Sequence, residues 1–309
     1  MLRSAIKLIV FFFITASCIF ILKKSGTKDN ANVRITLPKA MDTSFFFIGS
    51  SRVQKGIDPL IITNGYDNVK VFNWGITSGT FLNNCIVADF AIKQPGQKVV
   101  FIELAPLVDV LPDGLFNFAT HTRLDLFGSV LTLTANQSFS EQSMLMLKII
   151  NDYFYKCITV RNEVKHIIGH TAGVKVNDDY EKWIGFSPSN RNGHYTTRSF
   201  LTSQEINNCR LNSINLVKYQ VMISYLEGLA KSNNSRVVFF LPITSMKQAE
   251  KNIVIPLYHT LPDSMKLEYS SQFLQQMADA EYLLDINHLN RKGATTYSTL
   301  LIPLLEKYR

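Results

Sequence analysis

Residues 44–52 read SFFFIGSSR, and this stretch decides the fold. A short apolar run that ends at Gly-Ser-Ser is typical of a strand buried on both faces of a parallel sheet and followed by a loop. The run therefore predicts a buried strand over Ser44 to Ile48 and places Ser51 in the loop that comes after it.

Four further apolar runs of this kind occur along the chain, at 69–73 (VKVFN), 98–104 (KVVFIEL), 236–241 (RVVFFL) and 282–284 (YLL). Stretches with helical spacing lie between or after them, at 80–93, 141–166, 202–231 and 291–307. Strands that alternate with helices form a parallel sheet covered on both faces. We therefore predict a three-layer α/β/α fold with a parallel five-stranded sheet.

The long stretch from 106 to 200 interrupts this alternation. Its tail, from 169 to 198, is polar and rich in Gly, Asn and Asp. A long connection of this composition between two strands predicts an inserted lid or cap rather than a second domain. Trp183 and Phe186 in the tail would either stack on a sugar ring or form the small core of the lid itself.

The amino terminus contains an uncharged apolar run, Leu8 to Leu22, flanked by basic residues. Such a run spans a bilayer only if the flanking lysines extend toward the headgroups, and no A-x-A cleavage site follows it. It predicts an uncleaved signal anchor at 1–25, a linker at 26–43 and an exported, periplasmic domain at 44–309. Lipidation at Cys18 is the alternative, although the residues before it match a lipoprotein box poorly.

The formal net charge of the chain is +8, which raises the question of a nucleic-acid partner. Residues 1–34 contain six basic residues and one acidic residue, so a net charge of +3 is left for the rest of the chain. So small a surplus is typical of an ordinary solvated surface, and we expect no nucleic-acid binding.

The cysteines and histidines show no metal-binding pattern. Cys85, Cys157 and Cys209 lack C-x-x-C spacing and fall in helical stretches, so we expect them to pack as small apolar residues or to form one disulfide. His166 and His170 are four residues apart, but the glycine between them ends the helix. We predict neither a metal site nor a cofactor.

Residues that can carry chemistry follow directly after predicted strands: Ser51, Gly75, and Asp285 with His288. Because the carboxyl ends of parallel strands meet at one edge of a sheet, we expect these residues to lie together. A serine becomes a nucleophile when a histidine, oriented by a carboxylate, removes its proton. Each segment also has an ordinary structural alternative, since Gly-Ser-Ser is common in turns and aspartate often caps them.

Three of these segments resemble sequence blocks of the SGNH, or GDSL-like, hydrolase superfamily. Residues 49–52 (GSSR) resemble the first block, and residues 73–75 (NWG) are similar to the second. Residues 285–288 (DINH) match the final D-x-x-H block. The three blocks span nearly all of the predicted exported domain.

The resemblance implies a role for each matching residue. Ser51 is at the nucleophile position, His288 at that of the base and Asp285 at that of its partner. Asn73 and Gly75 fall in the oxyanion and substrate-binding block, where the glycine gives a backbone N–H to the oxyanion.

One family block is missing, because no G-x-N-D occurs in the chain and the strand where it belongs ends at residues 101–106 (FIELAP). The asparagine of that block donates to the oxyanion, and loss of one such donor lowers turnover about a hundredfold to a thousandfold. Arg52, beside the nucleophile, either contacts an anionic group of the substrate or forms a salt bridge to a neighbouring loop.

The predicted anchor and residues 49–59 (GSSRVQKGIDP) make the chain most similar to exported family members that act in acyl modification of cell-envelope polymers. Examples are the D-alanyl transfer proteins of teichoic acid synthesis and the acetylation proteins of alginate export. The resemblance implies a membrane-anchored serine esterase or O-acyltransferase acting on an envelope glycan or polymer. The alternative, favoured by the missing block, is a non-catalytic scaffold subunit that works beside a membrane-embedded O-acyltransferase.

Overall fold

The computed structural model of the 309-residue chain describes residues 43–108, 123–135, 137–158, 185–190, 200–208, 216–244 and 246–309. The predicted membrane anchor and nearly all of the linker lie outside these residues. Within the described part of the chain, no helix is both long enough and apolar enough to cross a membrane.

The central sheet consists of four parallel strands, β1 (Thr43–Gly49), β2 (Val69–Gly75), β3 (Lys98–Glu103) and β4 (Ser235–Phe240). Their order across the sheet is β2-β1-β3-β4. β1 pairs with two neighbours, so that Phe47 lies beside Asn73 of β2 and Phe101 of β3. The first four apolar runs of the sequence therefore form the strands that we predicted.

The fifth apolar run does not join this sheet among the described residues. Part of this run forms β5 (Leu283–Asp285), which pairs antiparallel with β6 (His288–Leu289) in a separate two-stranded sheet. Tyr282, expected in the strand, ends a short 3-10 helix over Ala280–Tyr282. The chain turns back two residues after β5, so the backbone groups of this run pair locally. The described residues thus form an α/β fold with a four-stranded parallel sheet.

Helices cover both faces of the sheet. The described helices are α1 (Ser51–Gly56), α2 (Pro59–Asn64), α3 (Phe81–Ile92), α4 (Arg123–Leu133), α5 (Phe139–Ile158), α6 (Ser203–Asn207), α7 (Val217–Ser232), α8 (Gln248–Thr260), α9 (Ser271–Met277) and α10 (Arg291–Leu305). One face is covered by α3 and α7, and the other by α1, α2 and α10. The layered α/β arrangement predicted from the alternating pattern is confirmed at this level.

The bounds of α3 and α10 lie close to those of the helices predicted at 80–93 and 291–307. The predicted 202–231 helix differs from the structure, because α6 ends at Asn207 and α7 begins only at Val217. Asparagine competes for backbone hydrogen bonds and favours helix ends, and Asn208 is the residue that ends α6. A capping box begins α6, since the Glu205 N–H donates to the Thr202 hydroxyl at 3.2 Å and the Thr202 N–H donates to the Glu205 carboxylate at 3.0 Å.

The described parts of the 106–200 insertion include α4, α5 and residues 185–190. α5 begins with reciprocal bonds in which the Glu141 N–H donates to the Ser138 hydroxyl at 3.3 Å and the Ser138 N–H donates to the Glu141 carboxylate at 2.9 Å. The expected end of this helix near His166 lies outside the described residues. That the insertion acts as a lid stays a prediction.

The apolar side chains of β1 are buried on both faces of the sheet. Phe46 and Ile48 belong to the core shared with α3 and α7, whereas Phe45 and Phe47 belong to the core shared with α1 and α10. All four side chains are 0% exposed. Burial of a side chain of this size contributes about 1.5–3 kcal/mol, so the strand that precedes Ser51 is anchored from both sides.

Candidate functional site

Ser51 is the first residue of α1 and follows β1 after a single intervening residue, Ser50. The Ser50 hydroxyl caps the helix by accepting a hydrogen bond from the Arg52 N–H at 3.2 Å. A serine in this position satisfies one of the amides that a helix leaves without an internal partner. The sharp turn from strand to helix leaves Ser51 half-buried at the carboxyl edge of the sheet.

Asp285 and His288 come from the hairpin formed by β5 and β6, where they lie opposite each other. The Asn287 N–H donates to the Asp285 carboxylate at 2.8 Å and closes the turn. Thr244, which follows β4, donates its hydroxyl to the Asn287 carbonyl at 2.7 Å. This bond ties the hairpin to the carboxyl edge of the parallel sheet, where Ser51 is located.

The three predicted residues are connected by hydrogen bonds. The Ser51 Oγ lies 2.7 Å from the His288 Nε2, and the His288 Nδ1 lies 2.8 Å from both carboxylate oxygens of Asp285. An ionised carboxylate only accepts hydrogen bonds, so Nδ1 carries the proton in the neutral ring. Nε2 is then free to accept the Ser51 hydroxyl proton, which is the arrangement that a general base requires.

The Asp285 carboxyl group is suited to stay ionised beside the ring. Partial burial alone raises its pKa, but hydrogen bonds from the His288 ring and the Asn287 N–H outweigh burial and hold the pKa below its usual range. The carboxylate therefore stays charged at neutral pH. It can orient the imidazole and stabilise the positive ring that forms when His288 takes a proton.

The Arg52 guanidinium group is paired with two carboxylates of the protein. Its Nε lies 2.7 Å from Glu103, and its Nη2 lies 2.6 Å from Glu250 at the start of α8. Burial lowers the pKa of Arg52, but the two carboxylates raise it by more, so the net shift is upward. The salt bridges of Arg52 therefore run to the end of β3 and to α8, and not to a loop as the sequence suggested.

Glu103 is a residue of the site that sequence reasoning missed. It ends β3, where the G-x-N-D block was expected, and its side chain is 0% exposed. The signal in the sequence is a single acidic residue at the end of an otherwise apolar run, since glutamate is almost never fully buried unless it is paired. Its carboxylate oxygens accept hydrogen bonds from Ser50 and Arg52, so the side chain does not supply the donor that the asparagine would.

Asn73 and Gly75, for which the resemblance implies an oxyanion role, are hydrogen-bonded to groups of the protein itself. The Gly75 N–H donates to the Asn73 side-chain oxygen at 3.0 Å, so it is already engaged. The Asn73 side-chain nitrogen donates to the carbonyls of Val53 and Ile57 at 2.8 and 2.6 Å. Asn73, which is 0% exposed, therefore holds the carboxyl end of α1 against β2.

Part of the insertion lies against α1, which carries Ser51, and against α10. The Ser187 N–H donates to the Gln54 carbonyl of α1 at 2.9 Å, and the Ser189 carbonyl accepts from the Arg291 N–H of α10 at 2.8 Å. Phe186 is 1% exposed and packs in the core that the sheet shares with α1 and α10, so it belongs neither to an exposed stacking surface nor to a separate core of the insertion. Trp183 lies outside the described residues.

The other histidines and cysteines do not contribute to this site where they are described. His259 is hydrogen-bonded through Nε2 to the Ile206 carbonyl at 2.8 Å. Cys85 is buried as expected, and burial raises the pKa of its thiol. Within the described ranges no three His, Cys, Asp or Glu residues gather as metal ligands, but His166 and His170 lie outside those ranges.

Comparison of the chain with protein-family models, with curated proteins and with solved structures finds no match. The interpretation of the site therefore depends on its own geometry, on the motifs at 49–52, 73–75 and 285–288, and on the fold that brings the first and last of them together.

Proposed function

We propose that the protein is an SGNH-type serine esterase or O-acyltransferase in which Ser51 is the nucleophile, His288 the general base and Asp285 the residue that orients it. The observation that carries this proposal is the hydrogen-bond chain from the Ser51 Oγ to the His288 Nε2, at 2.7 Å, and from the His288 Nδ1 to Asp285, at 2.8 Å. A serine, a neutral imidazole and a carboxylate in this order form a nucleophilic triad.

In the first half of the reaction the Ser51 Oγ attacks the carbonyl carbon of an ester while the His288 Nε2 accepts the hydroxyl proton. The tetrahedral intermediate then collapses, the bond to the alcohol oxygen breaks, and His288 returns the proton to the leaving alcohol. The product is an acyl ester on Ser51. Asp285 stays ionised and holds the Nδ1 proton throughout.

In the second half a water molecule or an acceptor hydroxyl attacks the acyl carbon and gives its proton to His288. The Ser51 oxygen leaves and regains that proton, which restores the starting state. Water gives hydrolysis, whereas a sugar or polymer hydroxyl gives transfer. The 106–200 insertion, acting as a lid, would favour transfer by excluding water.

The Ser51 backbone N–H is the donor that we assign to the oxyanion, because it is the first amide of α1 and helix geometry leaves it without an internal partner. The Gly75 N–H is already bound to Asn73. Each missing oxyanion donor costs about a hundredfold to a thousandfold in turnover, so we expect a slow enzyme.

The substrate class follows from the resemblance and the predicted topology. An anchor at 8–22 would hold the domain at the outer face of the cell membrane, and the resembling family members modify acyl groups of envelope polymers. We therefore propose an O-acylated envelope glycan or polymer as substrate. The mechanism needs no cofactor and no metal, since the serine and the histidine supply the chemistry.

A non-catalytic scaffold is the second candidate, and a specific observation favours it. A buried acidic residue, Glu103, stands where the family has its asparagine donor, and Gly75 is engaged elsewhere. In this alternative the domain binds an acylated polymer beside a membrane-bound O-acyltransferase and does not itself form an acyl ester.

Labelling with a serine-reactive fluorophosphonate separates the two candidates. The wild type is expected to be labelled once, at Ser51, and to hydrolyse a small aryl ester, whereas Ser51→Ala does neither. The enzyme proposal is wrong if the wild type shows no labelling and no turnover while a strain carrying Ser51→Ala still makes a normally acylated envelope. The scaffold proposal then takes its place.

A further inference from the structure

A buried carboxylate is rigidly placed beside the nucleophile. Glu103 is 0% exposed at the end of β3, and its backbone carbonyl accepts a hydrogen bond from the Asn84 side chain at 2.9 Å. The next residue, Leu104, donates its N–H to the Phe240 carbonyl of β4 at 2.9 Å. The backbone on both sides of the side chain is therefore fixed to the sheet and to α3.

This carboxylate binds the residues on either side of Ser51. One oxygen accepts the Ser50 N–H at 2.5 Å, and the other accepts the Ser50 hydroxyl at 3.2 Å and the Arg52 Nε at 2.7 Å. Three donors from the two chain neighbours of the nucleophile thus converge on one rigid side chain. Movement of Ser51 would require at least one of these charge-assisted hydrogen bonds to break.

Gly49 shows that the close approach of Glu103 is built into the turn. A Cβ atom at position 49 would lie 2.4 Å from the Glu103 Oε2 and 2.4 Å from the Val53 Cγ2, closer than such atoms can approach. Gly49 does not have a positive φ, so the glycine is required by space and not by backbone conformation. The glycine of the GSSR motif is therefore explained by the carboxylate that packs on it.

Arg52 compensates the buried charge and extends the network to α8. An unpaired buried carboxylate would be strongly unfavourable, and the Arg52 side chain, 14% exposed, lies between the carboxylates of Glu103 and Glu250. The guanidinium fork matches two carboxylates at once, which a lysine cannot do in the same geometry. The start of α1, the end of β3 and the start of α8 are joined through this one side chain.

We propose that Glu103 and Arg52 are positioning residues for Ser51, which hold its hydroxyl within hydrogen-bond reach of His288. The inference rests on the proposed nucleophilic role of Ser51. Glu103 acts through the backbone of Ser50 and the side chain of Arg52 and does not touch the reacting atoms. A displacement of about 1 Å in a reacting group can cost about a hundredfold in rate.

The test compares Glu103→Gln with a matched substitution at another buried carboxylate. Glutamine keeps the size of the side chain and can still accept from Ser50, but it loses the ion pair with Arg52. The control is Asp89→Asn on α3, because Asp89 is 2% exposed and also accepts three side-chain hydrogen bonds. Its partners are Lys93, Ser129 and Tyr225.

The measurements are the maximal fluorophosphonate labelling rate, the half-saturating probe concentration and the thermal midpoint. Glu103→Gln is expected to lower the maximal rate about 10-fold to 100-fold with the half-saturating concentration nearly unchanged. Asp89→Asn is expected to lower the thermal midpoint but to label at the wild-type rate. Equal rates for Glu103→Gln and the wild type would overturn the proposal, as would an equal loss of rate in Asp89→Asn.

Two further measurements keep the outcome decisive. If Glu103→Gln does not fold, Arg52→Lys is tested in its place, because it keeps the positive charge but loses the guanidinium group. This variant is expected to be labelled more slowly than the wild type. Labelling at the wild-type rate would overturn the inference. If the wild type is not labelled at all, the proposed function fails separately. The position of Ser51 is then measured through the NMR chemical shift of the His288 Nε2 nitrogen. This chemical shift should change in Glu103→Gln and stay the same in Asp89→Asn. An unchanged chemical shift in Glu103→Gln would reject the positioning role.

Discussion

Asp285 and His288 are three residues apart in the chain and face each other across the β5–β6 hairpin, so that the His288 Nδ1 lies 2.8 Å from both carboxylate oxygens. The D-x-x-H spacing thus has a local explanation, since the first and last residues of a tight turn become cross-strand neighbours. The turn alone orients the base. The packing of the hairpin against the rest of the domain, which includes the Thr244–Asn287 hydrogen bond, brings that base to Ser51.

The substitution Asp285→Asn is expected to lower the labelling rate and esterase turnover about 10⁴-fold, because an amide that donates to Nδ1 favours the wrong imidazole tautomer. The thermal midpoint should change little, since the side chain is more than one-third exposed. Asp279→Asn is the matched control, as Asp279 also accepts a local backbone N–H, that of Glu281. A similar loss in both variants would contradict the role of Asp285.

The substitution Gly75→Ala should destabilise the fold by about 1–3 kcal/mol, because the new Cβ would lie 2.3 Å from the Gln54 backbone nitrogen in α1. Gly228→Ala is the control, since nothing lies within 4 Å of a Cβ there and alanine is the better helix former. It should stabilise α7 by about 0.5–1 kcal/mol. Denaturant unfolding of both variants and the wild type measures these differences. Equal unfolding midpoints for Gly75→Ala and the wild type would show that Gly75 does not limit how closely α1 approaches β2.

We expect the folded protein to lose stability at high pH because of Tyr66. Burial, with Glu306 nearby, raises the pKa of Tyr66 to about 12, and its hydroxyl donates to the Ile302 carbonyl at 2.5 Å. In the unfolded chain the phenol ionises near pH 10, so the folded state holds the proton more tightly. The contribution of Tyr66 is therefore complete below about pH 10 and is lost as the pH rises through about 12.

The comparison with Tyr66→Phe isolates this effect. At pH 7–9 the wild type should be more stable than the variant by about 1 kcal/mol, the usual net value of one hydrogen bond. The difference should shrink between pH 10 and 12, as measured by urea unfolding at each pH. A constant difference across this range would show that Tyr66 does not titrate as inferred.

The membrane topology predicted from residues 8–22 is open to a direct test. Fusion of a periplasm-dependent reporter to Arg309 should give an active reporter in the membrane fraction, because the apolar run has no A-x-A site after it. A cytoplasm-dependent reporter fused at the same residue is the control and should be inactive. The opposite pattern of activities would reject the topology.

Much of the layer structure was predictable because burial leaves a simple trace in the sequence. A strand covered on both faces must be apolar at consecutive positions, and β1 to β4 carry such runs. The helices predicted to begin at 141 and 202 start close to those positions, and each is preceded by a cap that needs a specific side chain at a fixed spacing. The prediction that the fifth run joins the parallel sheet was wrong, because three apolar residues do not specify the strand with which they pair.

The sequence by itself determined which residues could react, since a serine after a buried strand and a D-x-x-H turn are local patterns. The tertiary structure decided which of their neighbours serve the site. It engaged the Gly75 N–H with Asn73, paired Arg52 with Glu103 and placed that buried carboxylate against Gly49. These roles depend on which groups from distant segments meet within hydrogen-bond distance, and that is settled only when the strands pack side by side.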